Sequence, residues 1–501
     1  MKKLLLRWTP WQINNTNSGI CRVSTFISSF YSTGTLAASS PALSSSLYRR
    51  ISSVEYPTAS ISPVLDQWLE QGKDVEQSEL RSFIKILRKF NRPKHALEIS
   101  EWMENQASHS LSHGDAAVKL DLISKVYGIE QAEEYFNAIP SDLKHYKVYG
   151  SLLNCYAKKK SLEKAEAIMQ KMRELDFTKS PLPYNVMLNL YSQLGEQEKL
   201  RLLMQEMEEK DISCDRFTLN IMLNAHIGAS NVEGMENLLT KMEADPNVVV
   251  GWNAYGTVAN GYMKAGLTEK ALIMLKRLEQ IISGKKGKLA YEILLTSYAA
   301  AGKREEVYRI WNLYKNMKKT YNSGYLCMIS SLLKLDDIPG AEKILEEWES
   351  RHKFSDARIR NTMIRGYCKK GLLEKAEEYV NKLAENGKVL NADTWECLAT
   401  GYKLENKMDK AVETMKKALL ASQPERRSSP FTLAACLDYL KSREDLEEAT
   451  AFLRLTRERG ILSVDVYERL LNYINDGNLS SKAVDVIMEG SEWSFHGKTG
   501  A

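Results

Sequence analysis

Apolar residues recur along this chain in pairs of short helical stripes separated by a breaker. In residues 181–215, Tyr184, Met187, Leu188 and Tyr191 share one face, Gly195 interrupts, and Leu200, Leu203, Met204 and Met207 form a second stripe. A polar link from Lys210 to Asp215 follows. A helical period on both sides of a glycine predicts helix, turn and helix. The plan repeats. An aromatic residue opens the first stripe at Tyr149, Tyr184, Tyr255, Tyr291, Tyr325, Trp395 and Tyr467. A tyrosine stands seven residues later at Tyr156, Tyr191, Tyr262, Tyr298 and Tyr402, with Tyr367 in the unit opened by Arg360. Two helical turns put both rings on one face, which predicts packing between adjacent hairpins. Gly195, Gly266, Gly302 and Gly371 occupy the same turn between helices, where positive φ ends a helix without steric cost.

One slot in each unit sets the period. It holds Ala96, Ala132, Ala165, Leu200, Met235, Ala271, Val307, Ala341, Ala376, Ala411, Ala449 and Ala483, at intervals of 33 to 38 residues. Twelve units of about 35 residues predict an all-α solenoid of helix-turn-helix repeats in which each unit packs only on its neighbours. The units are expected to start near residues 77, 113, 146, 181, 216, 252, 288, 322, 357, 392, 430 and 464, and to fill 77–490. Residues 62–76 read as a capping helix, with Ser62 as N-cap and Pro63 at the first helical position. Residues 491–501 lack apolar periodicity and read as a disordered tail.

Charge changes the picture at the amino terminus. The first 54 residues contain no Asp or Glu, are rich in Ser and Thr, and carry Lys2, Lys3, Arg7, Arg22, Arg49 and Arg50. That composition predicts an organelle transit peptide over 1–31, with a boundary that extends to as much as residue 50, and a linker over 32–61. Leu4, Leu5, Leu6, Trp8 and Trp11 among the early basic residues favour the mitochondrion, with the chloroplast as the alternative. Six of the 69 basic residues precede Glu55, so residues 55–501 carry 63 basic against 64 acidic side chains. Global charge therefore gives no support for a polyanion partner, and any such contact requires a local stripe. No apolar run reaches transmembrane length, so no membrane insertion is expected. The seven cysteines form no CxxC pair and predict buried thiols.

The units YNVMLNLYSQLG, YGTVANGYMKAGLTEKAL and RNTMIRGYCKKGLLEKAEEYVNKL resemble the pentatricopeptide repeat family, and the leader LDQWLEQGKDV followed by HALEISEWM resembles its P class, plant mitochondrial subgroup. The resemblance covers about 55–490. It implies a right-handed α-superhelix whose first helices line a groove for single-stranded RNA. In that family the residue after the opening aromatic and the last residue of the unit select a base together. Carried over, Asn185 with Asp215 matches a uracil-preferring pair and Asn361 with Asn391 a pyrimidine-preferring pair, while Asn220 matches without a fitting partner at Gly251. Leu182, Phe217, Leu289 and Phe431 fit the position that sandwiches the base. Glu292, Glu396 and Glu468 depart from the pattern and put a negative charge where a base edge approaches. Lys89, Lys125, Lys158, Lys264, Lys334 and Lys369 recur near the end of the first helix. A lysine in phase with the repeat can follow a phosphate backbone, and it also complements the helix dipole.

Chemistry beyond binding is not expected. The chain has no HxE with PCxxC and no carboxyl-terminal Asp cluster, and Gly497-Lys498-Thr499 lacks the remainder of a phosphate loop. His109, His113 and Asp115 lie in a Ser-rich link and read as a solvated loop, and the acidic pairs Glu133-Glu134 and Glu377-Glu378 read as solvated outer faces. The expected protein is no enzyme and needs no cofactor. It binds organellar RNA in processing, stability or translation. The alternative is a scaffold on the mitochondrial ribosome or another large assembly, with Trp102, Trp311 and Trp348 as candidate anchors.

Overall fold

The computed structural model describes residues 46–54, 59–106, 111–246, 248–282, 287–317, 320–351, 356–388, 390–422, 428–475 and 482–489. The expected transit peptide over 1–31, the tail over 491–501 and His109 lie outside them. Among the described residues the regular secondary structure is all α-helical. They divide into two compact units.

The first unit holds α1 (Ser46–Ser53), α2 (Ser62–Glu70), α3 (Gln77–Lys89), α4 (Pro93–Asn105), α5 (His113–Val126), α6 (Ile129–Ala138), α7 (Tyr146–Lys159), α8 (Leu162–Glu174), α9 (Pro181–Leu194), α10 (Gln197–Glu209), α11 (Arg216–Gly228), α12 (Val232–Ala244) and α13 (Trp252–Lys264). From α3 onward, odd-numbered helices are the first of each pair; α5, α7, α9, α11 and α13 pack on one another in sequence order as one layer, and α3, α5, α7, α9 and α11 each pack on the even-numbered second helix of its pair. The second unit holds α14 (Thr268–Ile281), α15 (Lys288–Ala300), α16 (Arg304–Lys315), α17 (Asn322–Lys334), α18 (Ile338–Arg351), α19 (Ala357–Lys369), α20 (Leu373–Glu385), α21 (Ala392–Leu404), α22 (Met408–Leu420), α23 (Pro430–Ser442), α24 (Leu446–Glu458), α25 (Val464–Asn475) and α26 (Ala483–Glu489). Its first helices α15, α17, α19, α21 and α23 again pack in sequence order, and α23 packs on α26.

The twelve period-setting residues are all buried. Eleven are the fourth residue of a second helix and Ala483 is the first of α26; eight of the eleven are alanine, whose small side chain lets the two helices of a pair approach. The opening aromatics Tyr184 and Tyr325 and the later tyrosines Tyr156, Tyr191, Tyr262, Tyr298, Tyr367 and Tyr402 are buried as well. So are Trp102, Trp311 and Trp348, which places these candidate anchors in the core.

A recurrent staple ties four of the hairpins to the ones that follow them. Tyr191 and Lys199 both donate to Glu166 Oε1, at 3.1 and 2.8 Å. Tyr367 and Lys375 do the same at Glu342 Oε1, at 2.8 and 2.9 Å. Tyr402 and Lys410 meet at Glu377, and Tyr156 and Lys164 at Glu133. Glu133 and Glu377 are therefore inter-hairpin partners, a correction to their reading as solvated faces. A helical period assigns them to the outer side of their own helix but says nothing of the neighbour that reaches over them.

The amino-terminal end also departs from expectation. α2 begins at Ser62 with Ile61 as its cap residue, so Ser62 lies inside the helix. The cap is supplied from α4, because Glu98 Oε2 accepts from Ile61 N at 2.7 Å and Ser60 Oγ at 2.9 Å. Where a linker was expected, α1 buries Leu47, Tyr48 and Ile51, with the Tyr48 ring 5.4 Å from Phe83. No described helix is long and apolar enough to cross a membrane.

Candidate nucleic-acid interface

Four first helices, α5, α11, α19 and α21, begin with a side-chain cap, from Ser112, Asp215, Asp356 and Asn391, and two of these caps belong to the pairs proposed to read a base. Asp215 caps α11, accepting from Phe217 N and Thr218 N at 2.8 Å each. Asn185, the fifth residue of α9, donates to Asp215 Oδ1 at 3.1 Å and accepts from Thr218 Oγ1 at 2.7 Å. The second unit repeats this arrangement. Asn361 of α19 donates to Asn391 Oδ1 at 3.4 Å and accepts from Thr394 Oγ1 at 2.8 Å, and Asn391 caps α21. The structure thus brings together both pairs expected from sequence, and it adds a threonine to each that sequence reasoning missed. Both Asn185 and Asn361 are buried. Asn220 is placed differently: its amide donates to the Arg216 carbonyl of its own helix at 2.6 Å, and Gly251 offers no side chain.

Of the three carboxylates at the same slots in the second unit, Glu292 and Glu396 have internal partners and Glu468 is exposed. Glu292 is buried and accepts from Ser323 Oγ at 2.6 Å and Tyr314 OH at 3.3 Å. Glu396 accepts from Ser429 N, the cap position of α23, at 2.6 Å. Leu182, Phe217, Leu289 and Phe431 are each the second residue of a first helix. Phe431 is exposed, the other three are half-buried, and Arg216 lies over the Phe217 ring at 4.8 Å.

Lys89, Lys125, Lys158, Lys264, Lys334 and Lys369 all stand at the last or next-to-last residue of a first helix and are exposed. Four belong to the first unit and two to the second. Desolvation holds the Lys334 ammonium below the usual lysine range. Around Asp121 the lysines acquire an anchor that sequence reasoning missed. This carboxylate is 4% exposed and accepts from Arg88 Nη2 at 2.8 Å, Lys125 Nζ at 2.7 Å and Lys158 Nζ at 3.0 Å. Burial works against its charge, but the ammonium groups of Lys158 and Lys125 and the Arg88 guanidinium outweigh it and hold Asp121 far below the ordinary carboxylate range.

Charge is partitioned between the layers. In the first unit the first helices α3 to α13 carry eleven basic and three acidic residues, whereas the second helices α4 to α12 carry seven basic and sixteen acidic. The near-neutral total conceals this separation. In the second unit the first helices carry nine basic and six acidic residues, and the second helices fifteen and nineteen.

His113 opens α5 and Asp115 is buried in the capping box with Ser112, a correction to their reading as a solvated loop; His113 bonds to the Asp142 carbonyl at 3.1 Å, and Asp115 is engaged by Arg81. Among the described residues no group of three or more His, Cys, Asp or Glu is placed to hold a metal ion. Burial pushes the thiols of Cys155 up to about 11 and of Cys368 and Cys436 up to about 12.

A mitochondrial pentatricopeptide repeat-containing protein of Arabidopsis thaliana is 49% identical over 444 residues, covering 89% of this chain and 90% of the relative. The chain belongs to the pentatricopeptide repeat family. A profile of the PPR repeat matches residues 147–177, 183–212, 254–281 and 359–387. A second pentatricopeptide relative from the same plant is 42% identical over 442 residues, 88% of this chain and 84% of its own. The large ribosomal subunit protein mL101 of Arabidopsis thaliana is 43% identical over 430 residues, 85% of this chain and 87% of its own. Among solved structures, a maize pentatricopeptide repeat protein aligns with a TM-score of 0.48 and 17% identity, over 83% of this chain, which spans 62% of that structure.

Proposed function

We propose that this pentatricopeptide repeat protein acts by occupancy, holding a single-stranded organellar RNA against its first helices and so shielding or presenting it for processing or translation. No catalytic step is involved. The observation that carries this reading is the partition of charge in the first unit, which turns a chain of near-zero net charge into one with a cationic first-helix layer. The six in-phase lysines contact phosphate. Asn185 with Asp215 and Asn361 with Asn391 read pyrimidines, with Asn220 a lone contact. Leu182, Phe217, Leu289 and Phe431 sandwich bases. With Glu292 and Glu396 committed to internal bonds, the site read in sequence is short. The test is RNA affinity across a salt series: six phosphate contacts give a log–log slope of about −4 at about −0.7 per contact. A slope near zero, or no binding at low salt, overturns the reading.

The location we propose is the mitochondrion, and the class the P class. Relatives named as mitochondrial support this location, and the acid-free amino terminus supplies the targeting segment. Processing falls before Ser46, because α1 belongs to the fold through Leu47, Tyr48 and Ile51. Amino-terminal sequencing of the mature protein is expected to find a start upstream of residue 46; a start beyond Tyr48 contradicts this.

A second reading, a component of a ribosomal large subunit, is favoured by the 43% identity to mL101 and by the reading slots filled with internal carboxylates. Gradient sedimentation of organelle lysate separates the two. A light, ribonuclease-sensitive complex supports RNA occupancy; co-migration with ribosomal particles that survives light ribonuclease supports the scaffold.

A further inference from the structure

The residues that end the first helices differ sharply between hairpins. Phe90 and Tyr127 are the C-cap residues of α3 and α5, and they are 62% and 59% exposed. The C-cap residues of the next four first helices are Lys160, Gly195, Ala229 and Ala265. The fold therefore asks for no aromatic ring there, and leaving two large rings in water opposes the usual burial of apolar surface. Both residues follow closely in the chain on cations that hold Asp121. Arg88, two residues before Phe90, and Lys125, two residues before Tyr127, meet at the same Asp121 oxygen, at 2.8 and 2.7 Å. Lys158, from the end of α7, meets its other oxygen at 3.0 Å. One carboxylate thus gathers three cations and three helix ends into one place and leaves them net positive. Lys125 and Lys158 keep 38% and 32% of their side chains exposed.

We propose that the carboxyl-terminal ends of α3, α5 and α7 form a clamp for an unpaired stretch of RNA that is indifferent to sequence. Bases stack on Phe90 and Tyr127, and the phosphates beside them lie on Lys125 and Lys158, whose positions Asp121 fixes. Every base offers a π-face, so aromatic platforms bordered by cations bind single strands without reading them. The clamp rests on the RNA-occupancy reading and adds to it. It supplies affinity at the amino-terminal end, where no selecting pair precedes Asn185 and Asp215. A duplex hides its base faces and is not gripped in this way.

The test uses the full chain and a mixed-sequence single-stranded RNA of about 20 nucleotides, with affinity followed by fluorescence anisotropy. Phe90→Ala with Tyr127→Ala is expected to weaken binding by about tenfold or more per ring, with the salt slope unchanged. Phe90→Trp with Tyr127→Trp is expected to retain binding. Lys125→Gln with Lys158→Gln is expected to flatten the log–log salt slope by about 1.4. The alanine pair melts at the wild-type temperature, because both rings are exposed. If wild type binds RNA and the alanine pair binds equally well, the clamp is wrong and the occupancy reading stands. Loss that tryptophan fails to restore, or equal affinity for duplex RNA, also refutes the clamp. If wild type binds no RNA and sediments with a ribosomal particle, the occupancy reading itself fails and the clamp with it.

Discussion

At the scale of the residue, ionisable side chains in this chain act mainly on one another. Glu206 is the clearest case. Burial raises its pKa, but hydrogen bonds from Arg173, Lys210 and Tyr184 prevail and lower it to about 2. Glu342 and Glu377 are lowered too, and the tyrosines that meet them are raised by burial and by the carboxylate. Tyr308 is pushed up to about 12 by burial and by its bond to Asp337. A carboxylate lowered in the fold stabilises it fully above the ordinary range near 4.3, and that stability is lost as pH falls toward 2. A phenol raised in the fold stabilises it below about 10, and that stability is lost as pH rises toward 12. The melting temperature is therefore expected to hold a plateau between roughly pH 5 and 9 and to fall on both sides. A melt series across pH checks this, and a profile that keeps rising below pH 4 contradicts it. Only part of this was legible in the sequence. Tyr191, Tyr367 and Tyr402 each precede a lysine by eight residues, a visible signal. The glutamates they meet lie 25 residues upstream on another helix, beyond what the period of one helix reports. Asp121 was hidden for the same reason: on its own helix it pairs only with Lys125, and the other two cations arrive from neighbouring hairpins.

At the scale of the element, helix pairs were readable because turn chemistry and apolar period agree. The left-handed turn between the helices is glycine at Gly195, Gly266, Gly302 and Gly371, yet Asn91, Lys160, Ser230, Asp336, Asn406 and Glu444 adopt the same positive φ. Glycine marks that turn without being required for it, so a search for glycine alone finds fewer hairpins than exist. Glycine has a different task inside the first helices. A Cβ at Gly401 of α21 would meet the Cys368 side chain of α19 and Leu373 Cδ1. Gly366 of α19 stands in the same relation to Leu333 of α17. These glycines set how closely successive first helices approach. Gly401→Ala is expected to destabilise the protein by about 1–3 kcal/mol through overpacking, read in a denaturant melt; an unchanged midpoint refutes it. Helix α1 escaped the sequence reading for a compositional reason. Its eight residues, SLYRRISS, continue the acid-free, serine-rich character of the leader, and only Leu47, Tyr48 and Ile51 carry a helical stripe.

At the scale of the whole molecule, nearest-neighbour packing decides how far a local change travels. Each hairpin is held by bonds to the next, and a lesion such as Gly401→Ala is expected to loosen amides in α19 and α21 while exchange in α3 to α7 stays at wild-type rates. The staple carries a further consequence. At these junctions a hairpin offers a glutamate to the one that follows and a tyrosine and lysine to the one before, which makes it a connector with one plug and one socket. The plugs are interchangeable. Excising residues 357–391, 35 residues in all, would bring Tyr402 and Lys410 to the chain distance from Glu342 now held by Tyr367 and Lys375. Asp356 would then cap α21 in place of Asn391, and Gly401 would face Leu333 in place of Gly366. The shortened chain is expected to remain folded, with helical content reduced in proportion to the two helices lost. An excision five residues longer or shorter is expected to unfold the junction. A lineage that duplicates or deletes whole units can thus change the length of this protein in a single step, with no new interface to invent.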